Sequence, residues 1–196
     1  LNLPNGLARG VRAASDFLMA LQLTGAGQSD SIANMQLRLP VVVIGGGLTA
    51  IDTATEALAY YPVQVEKFLK RYEILTAERE GRIPRIIALL QSWGGATIAY
   101  RKRLIDSPSY TLNHEEVEKA LEEGIWFAEG LTPVRVNIDQ WEHTQSVRFA
   151  VQKQDEAGQG QDSGTVELPA RALLVAAGTQ PNTVLAREDE KLFKLN

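Results

Sequence analysis

The chain has no cysteine. Disulfides, thiolate nucleophiles, Cys-ligated iron–sulfur clusters and CxxC redox pairs are therefore outside its own chemistry. It has only two histidines, His114 and His143, far apart and without a ligand pattern around them, so no metal site is expected. No apolar run approaches the roughly 20 residues that cross a bilayer. Residues 1–30 lack the layout of a secretory signal, and a cytoplasmic protein is expected. The formal net charge of −4 argues against non-specific binding to nucleic acid or acidic membranes. With few candidate nucleophiles and bases, and none singled out as catalytic, demanding chemistry would have to come from a cofactor.

What remains is an ordinary globular composition over 196 residues, enough for one sizeable domain. Leu3-Pro4-Asn5-Gly6 is turn chemistry. Val11, Ala14, Phe17, Leu18 and Leu21 recur at helical spacing and predict a helix over 11–23, stopped by the stretch from Gly25 to Ser31. Leu39-Pro40-Val41-Val42-Val43-Ile44 reads as a buried parallel strand. Thr49–Tyr60 reads as a helix with Ala50, Ala54, Ala57 and Leu58 on one face. Residues 62–91, rich in Lys, Arg and Glu, look like a helical insertion. It is either a solvated excursion or an interaction surface. Ala96–Tyr100 is a second strand and His114–Glu123 an acidic helix with Val117, Ala120 and Leu121 as its stripe. A third strand region starts at Ile125-Trp126-Phe127 and continues through Val134–Ile138. Ser146–Gln152 and Thr165–Leu168 alternate polar and apolar, which predicts an antiparallel hairpin. Ala172–Ala177 is a last buried strand.

The first strand ends in Gly45-Gly46-Gly47-Leu48-Thr49-Ala50. Gly45, Gly47 and Ala50 fill the three small positions of G-x-G-x-x-G/A. The first permits a tight turn, the second lets backbone N–H groups approach a pyrophosphate, and the third lets the helix lie close to the strand. The helix N-terminus adds partial positive charge. After the second strand, where an acid would bind a ribose 2′-OH, stands Tyr100-Arg101-Lys102-Arg103. A carboxylate repels a 2′-phosphate and guanidinium groups grip it, so NADPH is expected rather than NADH. Arg101 and Arg103 are the stronger candidates, with Lys102 secondary. The long interval from Ala50 to Arg101 is accounted for by the 62–91 insertion.

Four motifs occur in order: Val43 to Asp52, Tyr100 to Arg103, Glu115-Glu116 through Ile125, and Val175-Ala176-Ala177-Gly178-Thr179-Gln180-Pro181-Asn182. Over roughly residues 10–185 the chain resembles the NADPH domain of glutamate synthase small-subunit-like flavoproteins, within the pyridine nucleotide–disulfide oxidoreductase class. The resemblance implies a Rossmann-like α/β fold: a parallel sheet with flanking helices, an antiparallel β-hairpin crossover and the helical insertion. It implies an NADPH-dependent oxidoreductase in which hydride passes to FAD held by a second domain of the parent chain, and electrons then go on to another centre, such as an electron-transfer partner subunit. Gly45, Gly47, Thr49 and Ala50 would face the pyrophosphate, with Gly46 and Leu48 in the same cofactor-binding loop, and Arg101 and Arg103 the 2′-phosphate, with Lys102 beside them. Ala177, Gly178 and Thr179 would close on the nicotinamide half. Leu48 departs from the family, which commonly has Asn or Asp there. Neither half of an FAD domain is recognisable and the chain begins at Leu1. The expectation is thus a single excised NADPH domain, inactive without its FAD domain. Two other readings stand beside it. A self-contained dehydrogenase would need a proton donor that no motif supplies. A non-catalytic nucleotide-binding or partner-binding module would use the charged insertion.

Overall fold

Val41–Ile44 (β2) is a strand with all four side chains buried, as an apolar β-branched run between two sheet faces should be. A computed structural model describes residues 3–76, 90–154 and 160–178. In it β2 is the middle of a five-stranded sheet, flanked by Val11–Ala13 (β1), Ala96–Ala99 (β3), Trp126–Ala128 (β4) and Ala172–Val175 (β8). The order is β1-β8-β2-β3-β4 and every pairing is parallel.

Side-chain alternation splits the core in two. Val41, Val43, Ile98 and Leu174 face a helical layer: α1 (Ala14–Leu23), α2 (Leu48–Thr76) and α4 (His114–Glu122). Val42, Ile44, Ala99 and Leu173 face a second sheet, through Val136, Val147 and Phe149. That sheet is an antiparallel meander of β5 (Leu131–Ile138), β6 (Thr144–Gln154) and β7 (Gly160–Pro169). The α/β class and the antiparallel crossover are as expected, and Ala50, Ala54, Ala57 and Leu58 are all buried.

Four details differ. Val11–Ala13 is not helical; it pairs in parallel with Leu173–Val175, and α1 starts only at Ala14. The 126–138 region is two strands in two sheets, turned apart at Gly130, whose φ of +66° suits glycine. Leu121 of the α4 stripe is 49% exposed. Finally, no new segment opens at residue 62: α2 continues through Pro62 to Thr76. Proline in a helix interior costs about 3 kcal/mol or more, so tertiary bonds must hold this half. Tyr60 Oη accepts from Met35 N at 2.8 Å, and Gln64 clamps both N and O of Leu37 at 2.7 and 2.8 Å. Lys67, read as part of a solvated face, is 3% exposed and donates to the Ala26 and Ala33 carbonyls. Residues 77–89 of the expected insertion and 155–159 of the expected turn lie outside the described residues.

Glu167 on β7 ties the meander together. Its Oε1 accepts from Arg148 Nε and Nη2 on β6 at 3.0 and 2.7 Å and from Asn137 Nδ2 on β5 at 3.0 Å. The Arg148 hydrogen bonds are the largest cause holding its carboxyl below the ordinary 4.5. A depressed folded value stabilises above the unfolded pKa and is lost as pH falls through the folded one. Between about pH 5 and pH 3, the melting temperature of the wild type should therefore fall more steeply than that of Glu167→Gln. Parallel acid limbs for the two would show that the pair does not contribute.

Candidate nucleotide site

The glycine loop leaves the C-terminal end of β2 and opens α2. Gly45 is buried, Gly46, Gly47 and Leu48 are half-buried, Thr49 is exposed and Ala50 is fully buried. Ala50 packs in the helix-side core, which is the close helix–sheet contact its small side chain permits.

The three glycines are there for three different reasons. Gly45 has φ +154°, and a Cβ on it would stand 2.5 Å from the Ala176 carbonyl oxygen. Gly46 is pressed against the Tyr100 ring, which occupies the place a Cβ would take. A Cβ on Gly47 would meet nothing within 4 Å. Only at Gly47 does the missing side chain leave open space, and that space adjoins the first turn of α2. The first-turn N–H groups of a helix have no intrahelical acceptor.

The loop is braced by residues that sequence reasoning did not select. Ser109 donates from both N and Oγ to the Gly46 carbonyl, at 3.2 and 3.1 Å. Ser109 is fully buried and its Oγ lies 3.1 Å from that of Ser107. Ser107 caps α3 (Pro108–Leu112) by accepting from Tyr110 N. A serine followed by proline is a helix-start signal, so Ser107-Pro108 could have been read. The reach of Ser109 back to Gly46 could not.

The basic turn follows β3, the neighbour of β2. Its backbone is fixed: the Tyr100 carbonyl accepts from Leu131 N and the Lys102 carbonyl from Gly130 N. The side chains of Arg101, Lys102 and Arg103 are exposed. Arg103 is engaged by Asp106, Nε to Oδ2 at 2.8 Å and Nη2 to Oδ1 at 3.1 Å. That hydrogen bonding raises the pKa of Arg103 and lowers that of Asp106. Arg101 forms no ion pair among the described residues. On α2, Asp52 has its carboxyl pushed up by burial first and by the charge of Glu116 second.

On the other side of β2 lies β8. Ala176 N donates to the Ile44 carbonyl at 2.7 Å, so the end of β8 runs against Gly45. Ala177 and Gly178 follow, both exposed, and Gly178 has φ +100° with open space where a Cβ would be. Thr179 lies outside the described residues, as do Gln180 to Asn182. The fold thus gathers the glycine loop, the basic turn and Ala177-Gly178 at the C-terminal ends of adjacent strands β3, β2 and β8. From β2 the chain steps outward through β3 and β4, then returns to β8 on the opposite side. Open α/β sheets bind ligands at such a reversal, beyond the strands' C-terminal ends.

These features define a Rossmann-like α/β protein with a glycine loop at its switch point. Solved structures share the fold. A ferredoxin reductase for the CYP199A2 system from Rhodopseudomonas palustris superposes with TM-score 0.50 at 14% identity, covering 96% of this chain and 34% of that one. A FAD-dependent pyridine nucleotide–disulphide oxidoreductase from Desulfovibrio vulgaris gives 0.51 at 17%, covering 95% and 34%. Mycobacterium tuberculosis FprA in complex with NADPH gives 0.51 at 14%, covering 92% and 47%. No protein-family model matches the chain. An uncharacterized protein of Rickettsia prowazekii (strain Madrid E) is 46% identical over 169 residues, which are 77% of this chain. The chain spans 24% of that curated relative's length.

Proposed function

We propose that this chain is the NADPH-binding domain of a FAD-dependent oxidoreductase of the glutamate synthase small-subunit-like kind. The observation that carries the reading is the open space at Gly47, at the switch point and beside the α2 N-terminus, with the end of β8 packed on the neighbouring Gly45. The chain's groups fit a dinucleotide. The N–H groups at 46–49 and the α2 N-terminus suit the pyrophosphate, and Gly47 lets it come near. Arg101 suits the 2′-phosphate, while Arg103 would have to exchange its Asp106 partner. Gly178 leaves room for a flat ring beside the end of β8. Leu48 offers the nucleotide no polar side chain. When bound, NADPH supplies a hydride, and a companion FAD domain would receive it.

Titrating the purified protein with NADPH and NADH tests this. NADPH should bind more tightly. Arg101→Ala should weaken NADPH about 10–100-fold, the worth of a charge-assisted hydrogen bond of roughly 1.5–3 kcal/mol, and leave NADH unchanged. An unchanged preference would overturn the 2′-phosphate assignment; no binding of either nucleotide would overturn the whole reading.

A further inference from the structure

The opposite edge of the parallel sheet carries a concentration of positive charge that a nucleotide site does not use. Arg9, Arg171 and Arg38 each stand one to three residues before a strand, and those strands, β1, β8 and β2, are consecutive in the sheet. Neighbouring strands lie about 4.8 Å apart, so strand order brings the three arginines together from distant parts of the chain. Arg12 on β1 joins them. All four are exposed, line one cleft of about 860 Å³, and form no ion pair among the described residues. The Asp139 carboxylate accepts from Trp141 N and His143 N and is also within electrostatic reach of Arg171, so it offsets one of the four guanidinium charges in part. Such a cluster reverses the sign of a chain whose net charge is −4.

A second groove, of about 560 Å³, adjoins the first and shares Arg12 and Met35 with it. Its lining is mostly apolar, with Leu3, Leu7, Val11 and Val175 along β1 at the side of the sheet, and Arg12 and Asp16 are its charged residues. Leu7 is fully exposed. The rim between the grooves is held firm, because Tyr60 and Gln64 fix the backbone at Met35 and Leu37. A rigid rim lowers the ordering cost of binding. Small-molecule sites enclose most of their ligand; four arginines exposed along an open cleft do not. Arginine and aromatic side chains, here with Tyr61 and Phe68 in the same cleft, are enriched where proteins meet.

We infer that this edge docks an acidic segment of a partner polypeptide in which apolar side chains interrupt the carboxylates. Carboxylates lie over Arg9, Arg38 and Arg171, and an apolar side chain enters the trough beside Leu7 and Val11. The inference is independent of the nucleotide reading.

The probe is a labelled synthetic peptide of Asp and Glu interrupted by leucines, followed by fluorescence anisotropy at low salt. Saturable binding is expected, weakening as salt rises. It should fall about tenfold or more in the Arg38→Glu/Arg171→Glu variant, and also in Leu7→Asp. The milder Arg38→Gln, checked for an unchanged melting temperature, separates lost docking from lost folding. Several results would overturn the inference: no binding by the wild type, equal binding by the wild type and the double variant, or equal binding of a peptide with Gln for Glu and Asn for Asp. Complete displacement by stoichiometric tripolyphosphate would overturn it too, by marking a small-anion site.

Discussion

Gly47→Val should fold as the wild type does and lose about 100-fold or more in NADPH affinity. A 100-fold loss corresponds to roughly 2.7 kcal/mol of binding free energy. The effect depends on where the new side chain goes. A Cβ at Gly47 meets no protein atom within 4 Å, and Gly47 is not among the residues with positive φ. Neither the backbone conformation nor the neighbours of the new Cβ oppose the substitution. The methyl groups would instead fill the space beside the α2 N-terminus and hold a phosphate away from its N–H groups. Calorimetry of unfolding and NADPH titration, run on the same preparation, separate the two effects. A variant that binds NADPH as well as the wild type would show that the open space at Gly47 is not where the pyrophosphate lies.

Gly45→Ala, two residues away, should fail in the opposite manner. Its Cβ would sit 2.5 Å from a backbone carbonyl, on a residue at φ +154°. Neither can yield cheaply, because Ala176 is itself bonded to Ile44 at 2.7 Å. Overpacking and an unfavourable backbone region each cost about 1–3 kcal/mol. A total of about 2–6 kcal/mol would lower the melting temperature by roughly 4–24 °C for a domain of this size. Nucleotide binding should weaken along with it, since the end of β8 is pushed off the loop. A melting temperature within about 2 °C of the wild type, less than 1 kcal/mol for this size, would show that the seam is softer than the contact implies.

The contrast between those two glycines was only half legible in the sequence. A β-branched run, a glycine loop and an alanine-striped helix identify the β2–loop–α2 unit, because strand burial, turn freedom and close packing each demand particular residue types. The alternation at 146–152 and 165–168 likewise marks strands with one wet face. The misses share one cause, which is structure held by distant partners. Val11–Ala13 is too short to show a period and is a strand only because β8 comes alongside it. Pro62 signals a helix end, yet α2 passes through it, bound to the 26–37 loop by Gln64 and Lys67. The pairing of Arg103 with Asp106 is local but looks the same as any basic run. Ser109 and the arginine cleft depend on which segments the fold makes neighbours.

The placement of β8 has a consequence for the order of events in making this protein. β1 finds its only described strand partner in β8, and β2 has β8 on one side. β1 and β2 therefore wait for the last described strand, and a sheet so closed carries a high contact order, which slows folding. Until residues 172–178 have left the ribosome, the central gap stays unfilled and Gly45 has no carbonyl of Ala176 against it. The half-made chain has a glycine loop but no seam. A nascent chain should acquire the proposed nucleotide-binding capacity in one step, only after β8 is made, when a single four-residue strand slides between two that precede it, by more than a hundred residues in the case of β2.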